Sequence, residues 1–402
     1  MNILVLCHDI PSPTFSDTLP VYHLIKSLHL ECNHNINVIC FDCGNTKADK
    51  TIEKFIKRDP IQFSDKNSIS KDFLVTLVNM FRLSNLKHKI NSKILPNLLD
   101  FYYKPEMDKK IKSALKESEY DLIYLTRPMA SYVVDLNIPK FIQPYDAVYK
   151  WHEQIYKSSK GIKKAVYGIL YSMTKYYEKK VYNKFDSCLV VTEESKKLLK
   201  LLNPNLNVQV IPNGVNLDYF KPMEIEEDFP SLIFVSDMST SPTPENVLHF
   251  YENIFPLIRE KVPKIKLYLV GRNPVKEIKD LTVDPSIIVT GYVDDIRPYL
   301  AKASIFVAPM IMGTGIKNKV LEAMAMAKPI VSTKIGVEGI NGESGTNFMV
   351  TDKDKQFAEY IIDLLNNKEL KEYIGFNAHD LIEKKYSWKL MSKKFNELIP
   401  SE

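Results

Sequence analysis

Apolar residues in this chain gather into short, nearly continuous runs, and between the runs their spacing changes to three and four. Ile3–Cys7, Ile36–Phe41, Leu122–Leu125 and Cys188–Val191 are such runs in the first half, and Leu232–Val235, Ile265–Val270, Ser304–Met310 and Ile330–Thr333 in the second. Continuous apolar runs of this length are strands covered on both faces; the segments between them carry helical spacing, as Leu24, Ile25 and Leu28 do, or Phe250, Ile254, Leu257 and Ile258. Strands alternating with helices predict an α/β fold with parallel sheets, and the alternation restarts after Ser231. Between the two series, Tyr219-Phe220-Lys221-Pro222 and the acidic run Glu224–Asp228 read as a linker. The pattern therefore predicts a Rossmann-like domain over 1–221, a second over 222–385 and an amphipathic helix over 386–402.

Residues 45–112 interrupt the rhythm. The stretch is polar, is broken by Pro60 and Pro96, and holds amphipathic segments around Phe73–Leu83 and Ile94–Tyr103, so it predicts a helical elaboration of the first domain. A net charge of +5 is too mild to imply nucleic acid, but its distribution is uneven. From Lys47 to Lys112 there are fifteen Lys and Arg against eight Asp and Glu; from Lys150 to Lys184 nine Lys stand against Glu153 and Glu178. Tyr149, Trp151, Tyr156, Tyr167, Tyr171, Tyr176, Tyr177 and Tyr182 interleave with the second set. Lysines and interfacial aromatics suit an anionic membrane surface, contacted through 150–184 and 45–112; the other reading is a sheet-covering helix with solvated lysines. No run of about 18 apolar residues occurs, and Met1–Cys7 is too short for a secretory signal, so the expectation is a cytoplasmic protein peripheral at the inner face of the membrane. Five cysteines, three of them in apolar runs, read as reduced thiols; the Cys40/Cys43 spacing has no second pair and reads as chance rather than zinc or redox chemistry. Asp294-Asp295 lacks the Asp-x-Asp spacing of a metal motif, and neither a metal nor a cofactor is expected.

The most informative segment is Gly313-Thr314-Gly315-Ile316-Lys317-Asn318-Lys319-Val320-Leu321-Glu322-Ala323-Met324-Ala325, set between two predicted strands. A glycine loop lets backbone N–H groups approach an anion, and the helix that follows turns its positive end to the same place. Lys317 and Lys319 add charge, and Glu322, expected about two turns into the helix, is a carboxylate suited to the vicinal hydroxyls of a ribose. The plainer alternative is an ordinary loop–helix junction with an exposed glutamate. Ligands of open α/β sheets sit at strand carboxyl ends, which selects His8, Asp9, Arg127 and Asp146. Asp146 is also a candidate helix cap. The absence of G-x-G-x-x-G after the first strand counts against a nicotinamide or flavin enzyme.

Several of these segments, taken in order, resemble the family 4 ("group 1") retaining glycosyltransferases of the GT-B fold. Ile211-Pro212-Asn213-Gly214-Val215-Asn216 with Phe220 and Pro222 is similar to the family's interdomain segment. Val270-Gly271, Gly291-Tyr292-Val293 and Val307-Ala308-Pro309 are similar to its donor-domain strand ends, and Leu321–Ala325 with Lys328-Pro329-Ile330-Val331 to its best-known signature. Gly336-Val337-Glu338-Gly339-Ile340 resembles a subgroup that assembles surface polysaccharides. The resemblance implies two Rossmann-like domains facing across a cleft, with the C-terminal helix returning to the first. It implies transfer of a hexosyl unit from a nucleotide-sugar, a substrate rather than a cofactor, to a glycan or lipid-linked acceptor, with retention of anomeric configuration.

By the same resemblance Glu322 binds the donor ribose, and Gly313, Thr314, Gly315, Lys317, Val320 and Leu321 lie along its sugar and diphosphate. Gly271 and Tyr292 border the base; Arg127, Asp146 and Lys317 take the catalytic roles; His8 and Asp9 face the acceptor. Two departures stand out. Thr314 occupies the place of the family's first glutamate, and Ser236–Pro242 lacks the usual phosphate-binding Arg and Lys. They keep two other readings open, a non-catalytic GT-B adaptor in a glycan-assembly complex and a nucleotide-sugar epimerase.

Overall fold

The computed structural model describes residues 1–13, 18–44, 50–56, 60–62, 104–240, 242–313 and 315–399. The chain forms two compact units, Met1–Ile211 with Ser392–Glu402, and Pro212–Met391.

In the first unit seven described strands, β1 (Asn2–Cys7), β2 (Asn35–Asp42), β3 (Ile61–Gln62), β4 (Leu122–Thr126), β5 (Lys140–Tyr145), β6 (Ser187–Val190) and β7 (Val208–Val210), form one sheet in the order β3-β2-β1-β4-β5-β6-β7. Every neighbouring pair is parallel. Side chains alternate across a strand, so one apolar run feeds two cores. Leu4 and Leu6 pack with Met107, Ile111 and Ile123, while Ile3, Val5 and Cys7 pack with Val21, Ile25 and Phe395 on the other face. Phe395, on the terminal helix Trp388–Leu398, meets the rings of Tyr124 and Phe141 edge-on at 5.2 and 5.9 Å. That contact explains why the last residues cluster with the first unit.

Within 45–112 the structure adds an edge strand, β3, which is too short to leave a period in the sequence. The helix Pro105–Glu117 buries Met107, Ile111 and Ala114. The amphipathic segments around 73–83 and 94–103 lie outside the described residues.

The second unit holds β8 (Ser231–Val235), β9 (Lys266–Val270), β10 (Ile287–Gly291), β11 (Ile305–Ala308), β12 (Ile330–Ser332) and β13 (Met349–Val350), in the order β10-β9-β8-β11-β12-β13 and parallel throughout. The helix expected over 244–262 is three pieces: Thr243–His249, a π-turn at Phe250–Ile254 and Phe255–Lys261. Pro256 explains the widened turn, because it has no N–H and crowds the preceding turn. The unit begins ten residues before the domain start at 222 that composition suggested. The Val215 N–H donates to the Tyr386 carbonyl at 2.7 Å, which ties the segment after Pro212 to residues 386–388. Gly214 permits this approach, since a Cβ there would lie 2.7 Å from the Trp388 nitrogen.

In both sheets the strand order is that of a doubly wound fold, reversing between β1 and β4 and between β8 and β11. Among the described residues no helix is long and apolar enough to cross a membrane.

Candidate active site

In the second unit the reversal point brings the carboxyl end of β8 beside that of β11. The loop after β11 leads into the helix Asn318–Ala325. Val320, Leu321, Ala323 and Met324 are buried and anchor that helix in the core. The side chains of Val320 and Leu321 therefore belong to packing, and their N–H groups both go to the Lys317 carbonyl, at 2.9 and 3.3 Å. It is Asn318 and Lys319, at the start of the helix, whose N–H groups have no carbonyl one turn back.

Gly313 and Gly315 adopt φ of +130° and +75°, which a side chain would strain. Lys317 folds back over this loop. Its Nζ donates to the Gly315 carbonyl at 2.5 Å and lies 3.9 Å from where a Gly313 Cβ would be. Thr314 lies outside the described residues. Asn213 Nδ2 donates to Asn318 Oδ1 at 2.8 Å and so fastens the Pro212–Asn216 segment to the start of the helix. The two asparagines are 105 positions apart, and nothing local in the sequence joins them.

Glu322 stands just over one turn into the helix, not two, because the helix starts only at Asn318. Its carboxylate is buried and receives Lys319 Nζ on both oxygens, at 2.8 and 3.1 Å. Burial pushes its pKa up and Lys319 pulls the other way. The three-residue spacing of a helical ion pair was in the sequence as a signal, although the pairing went unread.

Gly271, at the end of β9, has φ +151°, and a Cβ there would overlap the Ser236 carbonyl oxygen. Its first duty is thus to let β8 and β9 end side by side. Tyr292 is exposed beyond β10. The sequence reading missed Arg272: its Nε donates to Asp237 Oδ2 at 2.7 Å, which puts a guanidinium at the end of β9 rather than after β8.

In the first unit the backbone N–H of His8 lies 3.2 Å, and Nδ1 3.1 Å, from Thr126 Oγ1, joining the ends of β1 and β4. Asp9 is buried; its Oδ1 accepts the N–H groups of Ile10 and Cys43 at 2.8 and 3.1 Å, so it organises the loops after β1 and β2. Arg127 follows β4, with its guanidinium 5.8 Å from the Tyr177 ring centre. Asp146 follows β5 and accepts the Ser195 hydroxyl at 3.1 Å. It does not cap the helix Val148–Ser158, whose cap position is Ala147. Beneath lie Glu178, fully buried, and His152, whose Nδ1 is 2.9 Å from Thr174 Oγ1. Glu178 was also missed, although it is one of only two acids among the lysines of 150–184. The other, Glu153, pairs with Lys150 and Lys157 at the surface.

Residues 21–219 match the model of the family "Glycosyltransferase Family 4", and residues 229–367 that of "Glycosyl transferases group 1". The chain belongs to the family 4, group 1 glycosyltransferases. Staphylococcus aureus CapM, a "capsular polysaccharide biosynthesis glycosyltransferase", is 26% identical over 206 residues, 46% of this chain and 53% of that one. A sucrose-phosphate synthase from Thermosynechococcus elongatus superposes with a TM-score of 0.71 at 14% identity, over 99% of this chain and 98% of the other. Anabaena Alr3699/HepE, solved with UDP-glucose, gives 0.64 at 15% identity over 99% and 98%. The fold of this family 4 glycosyltransferase is therefore GT-B, and the protein is a transferase enzyme.

Proposed function

We propose that this glycosyltransferase moves a hexosyl unit from a nucleotide-sugar to a glycan or lipid-linked acceptor, with retention, in surface-polysaccharide assembly. The observation that carries the reading is the Gly313–Lys317 loop, with Lys317 folded over it, opening a helix at the β8/β11 reversal point. Departure of the nucleoside diphosphate is the difficult step. Loop amides, the helix start and the Lys317 ammonium are placed to stabilise the charge that develops on the leaving phosphate. Glu322 accepts the ribose hydroxyls, and the Tyr292 edge of the sheet takes the base. In the first unit Arg127 and Asp146 orient the transferred sugar, and His8 and Asp9 serve the acceptor. The UDP-glucose held by the Anabaena neighbour and the capsular role in the CapM name support the donor class and the setting. Calorimetry with a panel of nucleoside diphosphates tests the reading. Saturable binding of at least one is expected, and binding of none would favour an adaptor.

The same proposal includes peripheral membrane attachment. The helices Val148–Ser158 and Gly161–Lys180 expose Trp151, Ile162, Ile169 and Tyr176 among Lys157, Lys160, Lys163 and Lys164. Apolar contact plus about 1 kcal/mol per lysine near an anionic surface makes a reversible attachment. Sedimentation with anionic vesicles is expected to carry the protein down and to lose it in high salt. Equal recovery with zwitterionic vesicles would contradict the attachment.

A further inference from the structure

Arg127 and Asp146 rest on a buried polar layer that the reaction outlined above does not use. Glu178, on the helix Gly161–Lys180, is its centre. Glu178 Oε1 accepts the Tyr149 N–H at 3.3 Å, and the Val148 N–H also reaches its carboxyl. Glu178 thereby does for the helix Val148–Ser158 what a capping side chain would do, while the cap position itself holds an alanine. Its other oxygen is buried with no hydrogen-bond partner among the described residues, and so is the Tyr182 hydroxyl.

Each packed element contributes groups to this layer. Arg127 comes from the end of β4, Asp146 from the end of β5, Tyr149 from the capped helix, Tyr182 from the turn after Glu178 and Cys188 from β6. Arg127 is the one cation among them. His152 is neutral, since burial and then Arg127 lower its pKa to about 4.

We propose that Glu178 is a positioning residue for the Arg127–Asp146 pair: its buried carboxyl fixes the Asp146–Tyr149 turn from beneath and governs how much of the Arg127 charge reaches the transferred sugar. This rests on the roles given to Arg127 and Asp146 above. Burial raises the Glu178 pKa to about 8; Arg127 opposes the rise and Asp146 adds to it. With its proton on, the carboxyl is neutral and leaves the Arg127 charge to the substrate. With the proton off, a second carboxylate in a poorly solvated site draws the guanidinium down and away.

Glu178→Gln keeps an oxygen for the two N–H groups and cannot titrate. In the wild type kcat/KM is expected to fall about tenfold per pH unit above about pH 8. In Glu178→Gln that fall disappears while activity at neutral pH persists, and in Glu178→Asp, which still titrates, it remains. Thermal melting provides a second readout. A carboxyl whose folded pKa is raised from 4.5 to about 8 holds its proton in the folded state after the unfolded chain has released it. Stability therefore falls as pH rises through that window, and the Tm advantage of Glu178→Gln grows across it. A basic limb shared unchanged by the wild type and Glu178→Gln overturns the inference alone, as does a melting difference that does not vary with pH. Absence of transfer by the wild type at every pH overturns the functional reading, and this inference with it.

Discussion

Lys317→Ala is expected to lower kcat by about 10²–10³-fold, the cost of removing one preorganised group from a developing oxyanion, about 3–4 kcal/mol. The ammonium lies over the glycine loop, 2.5 Å from the Gly315 carbonyl, where the chain offers no other side-chain cation among residues 309–318. Charge on the leaving phosphate grows toward the transition state, so the loss falls on kcat more than on donor KM. The fold should survive. Lys317 occupies the helix cap position without making a side-chain capping bond, and it is only half-buried. Single-turnover release of nucleoside diphosphate, with a melting curve beside it, checks this. A loss of less than about threefold would move the phosphate-binding role to the helix start or to Arg272.

Glu322→Gln is expected to act differently. The ribose lies away from the reacting carbon, so its contacts hold substrate and transition state alike, and donor KM should rise while kcat changes little. Losing hydrogen bonds to a charged group costs about 1.5–3 kcal/mol, a rise in KM of about 10–150-fold. Stability should be little changed. Glutamine fits the same space, a buried carboxylate is costly, and the abandoned Lys319 is half-exposed and can be solvated. Acidification should mimic the substitution. Burial raises the Glu322 pKa, so donor affinity in the wild type falls as pH drops through a range higher than that of an ordinary glutamate, and Glu322→Gln lacks this fall. Donor KM measured across that range decides the matter. Equal pH dependence in both proteins would remove Glu322 from the ribose site.

What could be read from the sequence follows how local each cause is. Ile3–Cys7 or Ile305–Ala308 announces a doubly covered strand because every position is buried, whereas the two-residue strands β3 and β13 leave no such run. Gly313 and Gly315 were readable as a loop with special backbone angles, and Lys317 as its charge. Other features depend on partners far along the chain. Asn213 meets Asn318, and Glu178 caps a helix that starts thirty positions earlier, so neither role has a local signature. Resemblance assigns Gly271 to the base, and the Ser236 carbonyl that faces it adds a packing reason for a glycine that no local pattern announces. The linker at 219–228 looked like a boundary by composition. Pairing of Val215 with residues 386–388 puts the division at Pro212 instead.

The central claim is sugar transfer from a nucleotide donor held at the Gly313–Glu322 segment. Nucleoside diphosphate release should be measured for the protein across a panel of nucleotide-sugars, with and without membrane-derived glycan acceptors. Release from one donor is expected to depend on acceptor, with the sugar recovered on the acceptor, and Lys317→Ala is expected to lose nearly all of it. Release from no donor under any condition, with no nucleoside diphosphate bound, would contradict the claim.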